Sequence, residues 1–219
     1  IQGISFSIEQ GPETSSVIDM RYVKNTPASV QNAISGAVVP ATQSNAFYDV
    51  HLSGGKYGVG IGFDSTNQCS ENLFIDTEVE LVNQGIAIGH SNALANIFHD
   101  VEIKNAVYGF GYFDPEDPSQ NESPNNFGGK MGVFRGDVET SGRLYRWYGG
   151  NSRTNYLNQL SAKVPALFYT DSPGNQTANS MVVDNSKLEI TDNSIPSLFY
   201  ELAQGFSIIR TDLSNGNFS

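Results

Sequence analysis

Apolar and polar positions alternate through short runs of this chain, and one such pattern recurs between residues 45 and 113. Its turns read AFYDVHLSGGKYGVGIGF, LFIDTEVELVNQGIAIG and NIFHDVEIKNAVYGFGYF, and GVFRGDVETSGRLYRW resumes it at residues 132–147. Alternation over a few residues marks a half-buried strand, and self-similarity at roughly 22–29 residues marks a solenoid built of such strands. Aligning Val50, Val79, Val101 and Val138 puts Leu52, Leu81, Ile103 and Thr140 in a second inward column. The second strand of each turn then points Val59/Ile61/Phe63, Ile86/Ile88 and Phe110/Tyr112 to the core. The leading Phe of each turn breaks parity with the Val, which predicts a bend between them.

The flanking segments extend the pattern. Residues 1–8 read as a strand already inside a repeat, and residues 17–23 as another. Solenoids need capped ends, so the absence of a polar cap before Ile1 leads us to expect a fragment of a longer chain or a processed product, folded as one domain over residues 1–219. Thr26 before Pro27 predicts a short helix within residues 25–35. Residues 114–130 (DPEDPSQNESPNNFGGK) break the period and read as a loop inserted between turns. The related segments VPALFYTD (164–171) and IPSLFYEL (195–202) read as later, less regular turns.

Composition narrows the function classes. Twenty-two glycines and 11% aromatic residues over 219 positions suit many short strands and tight turns. A formal charge of -11 argues against a nucleic-acid partner, which would need clustered Lys and Arg. No apolar run is long enough to span a membrane as a helix. The single Cys69 excludes an internal disulfide.

The period, the inward Val, Ile and Leu, the corner aromatics and the extruded loop together resemble the right-handed, single-stranded parallel β-helix of pectate-lyase-like proteins. That superfamily holds polysaccharide lyases and hydrolases and the trimeric tailspikes of bacteriophages. The resemblance covers roughly residues 1–147 and is one of architecture. Polygalacturonase signatures are not reproduced: Ile88-Gly89-His90-Ser91 stands near a GHG segment and Ile209-Arg210-Thr211 near an RIK segment, and no NTD segment occurs. The resemblance implies an extracellular or virion-borne protein and a polysaccharide ligand along the outside of the solenoid.

Neighbours of the inward Val residues face out. The alignment gives outward columns Asp49/Glu78/Asp100/Asp137 and His51/Glu80/Glu102/Glu139. Like charges one rung (~4.8 Å) apart repel, so such a face invites explanation. Two of Glu78, Glu80, Asp100, Glu102, Asp137 and Glu139 could act as the acid and base pair of a glycoside hydrolase or lyase. The same acids could hold Ca²⁺ through oxygen ligands, or simply form a solvated face. Gly58, Gly60 and Gly62, Gly85, Ala87 and Gly89, and Gly109 and Gly111 read as an outward track bare of side chains. Leu144, Arg146 and Tyr148 meet that track in the fourth turn. It would suit a neighbouring subunit of a homotrimer or other assembly, a loop, or a sugar. In RLYRWY, Tyr145 and Trp147 share the core parity, which leaves Arg146 and Tyr148, with His51, as substrate-binding candidates. The expected function is a polysaccharide-engaging β-helix, hydrolytic or lytic through its carboxylates. The competing expectation is a non-catalytic adhesin or structural spike whose glycine track is a subunit interface.

Overall fold

A computed structural model describes residues 2–7, 16–20, 44–61, 70–88, 93–112, 130–147, 154–170, 180–192, 194 and 206–215. Among them all regular structure is β, and the expected helix at 25–35 lies outside them. The strands are β1 (Gln2–Ser7), β2 (Ser16–Met20), β3 (Ala46–Ser53), β4 (Tyr57–Ile61), β5 (Leu73–Glu80), β6 (Gln84–Ile88) and β7 (Asn96–Tyr112). They continue as β8 (Met131–Trp147), β9 (Thr154–Val164), β10 (Ala166–Thr170), β11 (Ser180–Asp184), β12 (Lys187–Ile190), β13 (Phe206–Ile209) and β14 (Asp212–Ser214).

All pairings are parallel, and each strand lies against its equivalent in the next coil. One ladder runs β1-β3-β5-β7-β8-β9-β11-β13, and a second runs β2-β4-β6 and on through the C-terminal halves of β7 and β8 to β10. This is a parallel β-solenoid. Cross-rung hydrogen bonds join residues 27, 24, 35, 24, 26 and 25 apart along the chain. The long step contains the segment expected as an inserted loop, whose residues 114–129 lie outside the described ones.

From β3 onward a left-handed residue bends the first ladder at every rung. Asp49, Asp76, Asp100, Arg135, Gln159, Asn185 and Arg210 have φ between 46° and 62° and occupy equivalent places in successive rungs. Backbone in this region reverses the side-chain parity, so the residue before the bend and the bend itself both face out. This is the expected break between the leading Phe and the Val. Before it, Phe47, Phe74 and Phe98 stack inside the coil with centroids 4.6 Å apart at each step. Val133 takes the next place.

The register corrects the alignment drawn from sequence. Val50, Thr77, Val101 and Gly136 form one column, and Leu52, Val79, Ile103 and Val138 another. Thr77 is buried in a column of Val, and Leu81, expected in the core, is 60% exposed at a corner with φ 56°. A threonine is nearly isosteric with valine, so the hydrophobic pattern alone put the second turn two residues out of register. Val138 in the fourth turn was displaced likewise, because Gly136 holds the Val place there.

The glycine track is also corrected. Gly58, Gly85 and Gly109 share one column, and a Cβ on them would meet Val79 Cγ1 at 2.3 Å, Ile103 Cδ1 at 2.7 Å and Val138 Cγ1 at 3.0 Å. These glycines make room for a core column of the neighbouring rung and do not present a bare outer face. Leu144 is fully buried in the core, not on the outside. Tyr145 is in the core as expected.

Candidate functional site

The outer surface of the first ladder has two parts, divided by the left-handed bend. On the side after the bend lie the acidic columns. His51, Glu78, Glu102 and Asp137 form one column in register, and Ser53, Glu80 and Lys104 the next. The expected columns therefore regroup: Asp49 and Asp100 stand at the bend with Asp76, while Glu80 and Glu139 lie one column beyond Glu78 and Asp137. Glu139 faces Lys163. An open groove of ≈ 410 Å³ is lined by Asp49, His51, Asp76, Glu78, Asp100 and Glu102.

Most of these acids are held by cations. Arg135 Nη2 donates to Asp100 Oδ2 at 2.6 Å. Lys104 Nζ lies 2.5 Å from Glu102 Oε1 and 3.9 Å from Glu78 Oε1. The Glu102 carboxylate, through this hydrogen bond, holds the Lys104 ammonium above its ordinary range, and Glu78 and Glu80 add to the effect. His51 Nε2 is 3.2 Å from Glu80 Oε1. The side chains stand in water, with Glu78 and Glu102 39% and 43% exposed. A general acid is ordinarily shielded from solvent and shares a target point with its partner. Here the oxygens of Glu78, Asp100 and Glu102 face Lys104 and Arg135 instead.

His51, Glu78 and Glu80 place one ligand atom each within 4.8 Å of one another. Calcium takes six to eight oxygens, whereas this set offers an imidazole nitrogen and two half-exposed carboxylates. The fit to Ca²⁺ is poor.

Before the bend the outer face is apolar. Tyr48, Ile75, His99 and Phe134 form one column, half-buried apart from Tyr48, which is 40% exposed. Leu73, Ile97 and Tyr156 stand beside it, all half-buried. The rings pack on each other: His99 and Phe134 have centroids 5.0 Å apart, and Phe134 and Tyr156 5.6 Å. The outward columns that follow the Val do not include this strip, because it lies on the other side of the bend. Parity counted back through a left-handed bend would have found it.

Other candidates are placed apart. Arg146 lies at the far end of β8, its Cζ 5.0 Å from the centre of the Tyr108 ring. That is the second ladder, so it does not join His51 in one site. Tyr148 lies outside the described residues.

At the other end of the strip, Asp184 is almost wholly buried and accepts two bonds from Arg210, at 3.0 and 2.6 Å. Tyr156 Oη donates to it at 3.0 Å. The Arg210 hydrogen bonds, aided by Tyr156, hold the Asp184 carboxyl below its usual range. Burial, with the adjacent Asp184 carboxylate, pushes the Tyr156 hydroxyl up.

Compared with known protein families, curated proteins and solved structures, the chain matches none.

Proposed function

We propose that the protein is a non-hydrolytic, polysaccharide-engaging β-solenoid, extracellular or virion-borne, of the pectate-lyase-like architecture. The observation that carries this is the half-exposed apolar strip of Tyr48, Ile75, His99 and Phe134 with Leu73, Ile97 and Tyr156. Contiguous apolar surface on a protein of formal net charge -11 marks an interaction site. The strip is about two strand residues wide, ~7 Å, and lengthens by ~4.8 Å with each rung. A stable protein interface buries about 800 Å² per partner, far more than so narrow a band supplies. A single extended glycan chain fits the shape, laying the apolar faces of its rings on aliphatic and aromatic edges while its hydroxyls reach the Asp residues at the bend.

Titration calorimetry against a panel of linear oligosaccharides tests the reading. Ile75→Ser or Phe134→Ser is expected to weaken binding about tenfold or more while leaving the thermal transition cooperative, and no reducing ends should be released. Binding indifferent to both substitutions would overturn it.

One observation favours a hydrolytic reading: Glu78, Glu102 and Asp137 stand in one outward column at rung spacing in an open groove. Release of reducing ends that disappears in Glu102→Gln would establish that reading in place of ours.

A further inference from the structure

Resting on that reading, we infer that the glycan is a linear polymer of amino sugars carrying free ammonium groups. The strip has one charged border. Asp49, Asp76 and Asp100 follow Tyr48, Ile75 and His99 immediately in sequence, and the bend keeps each Asp outside beside its apolar neighbour. A chain lying on the strip therefore passes a carboxylate at every one of these rungs. Asp100 is held by Arg135, but Asp49 and Asp76 make no ion pair among the described residues. The next column outward, His51, Glu78, Glu102 and Asp137, adds further acid, and its nearby cation Lys104 is already on Glu102 and Glu78.

This charge pattern selects among glycans of the same shape. In water, unit charges ~5 Å apart change an affinity on the order of fourfold per pair, less as salt rises. A uronic-acid chain would set its carboxylates against Asp49 and Asp76, with Arg135 and Lys104 already engaged. A protonated amino-sugar chain would gain at both positions, about tenfold in all over its N-acetylated counterpart. Hydroxyls and amides alone would leave both aspartates without a counter-charge.

The test compares three hexamers of like length on the full chain at low salt: glucosamine, N-acetylglucosamine and galacturonate, at a pH where the amines are protonated. Glucosamine is expected to bind about tenfold more tightly than its N-acetylated form, galacturonate more weakly than either, and the preference should shrink with added salt. In the Asp49→Asn/Asp76→Asn double variant the glucosamine to N-acetylglucosamine ratio should fall to about one. Asn tolerates the left-handed backbone required there, so the variant keeps the bend, and an unaltered thermal transition checks this. Equal affinity of the two glucosamine forms would overturn the inference while leaving the glycan-binding reading intact. A lysine oligomer binding as tightly as the amino-sugar hexamer would also overturn it, since charge alone would then suffice. Failure of every hexamer to bind would remove the underlying reading.

Discussion

Thr77 occupies a place that its neighbours in register, Val50 and Val101, fill with valine, and its Oγ1 is buried with no hydrogen-bond partner among the described residues. An unsatisfied buried hydroxyl costs about 1–3 kcal/mol. Thr77→Val removes it at almost constant volume. Urea denaturation should show a gain of about 1 kcal/mol with an unchanged m-value. Leu81 presents the opposite fault, being exposed with φ 56° where Gly54 and Asn105 take the equivalent corners. The left-handed region costs a branched L-residue roughly 1–2 kcal/mol, and Asn tolerates it far better. Leu81→Asn should therefore raise the melting temperature, and a fall would show that the exposed leucine is packed against something.

At the scale of elements, what holds coil on coil is a set of ladders running along the axis. Asn45 Nδ2 donates to Asn72 Oδ1 at 2.9 Å, and Asn72 Nδ2 to Asn96 Oδ1 at 2.8 Å. The same oxygens receive the backbone N–H groups of Asn45 and Asn72, and farther along Met131 N donates to Asn155 Oδ1. Parallel strands with buried ends leave donors that must be met, and a stacked asparagine meets two per rung. The glycine column does the complementary steric work. Gly85→Ala would bring a Cβ to 2.7 Å of Ile103 Cδ1 and 2.8 Å of Gly109 O. Overpacking of this kind costs about 1–3 kcal/mol. Denaturation should register that loss directly. Unchanged stability with a changed oligomeric state would restore the glycine column as a subunit contact.

Across the whole molecule, stability should depend on acid through a clamp spanning successive rungs. Asp184 of β11 is bound by Tyr156 of β9 and by Arg210, which follows β13. Its pKa is lower folded than unfolded, chiefly through the Arg210 hydrogen bonds. The stabilisation is thus present above the unfolded carboxylate value, ~3.9, and is lost as pH falls through the folded value. Asp184→Asn should be less stable than the parent at neutral pH. The gap should close as pH drops below 4, which a series of urea transitions would resolve. A gap constant with pH would mean that burial and shape, not charge, set the role of Asp184.

That this chain coils is readable from its residues. Alternation, the period, the Phe that loses parity with the Val, and the Tyr145 that keeps it were legible because strands impose a two-residue period and a solenoid repeats it. Register was not legible, since Thr77 and Gly136 hide in places that the hydrophobic pattern assigns to Val79 and Val138. A slip of two residues preserves inward and outward faces, so alternation cannot detect it. It does change which acids share a column, moving Asp76 to the bend beside Asp49 and Asp100. The tertiary structure alone decided that Gly58, Gly85 and Gly109 face the core, because their neighbours there, Val79, Ile103 and Val138, come from the next coil. It also decided that an apolar strip lies outside, since hydropathy assigns Tyr48, Ile75 and Phe134 inward, and only the φ of the residue that follows each shows that they face out.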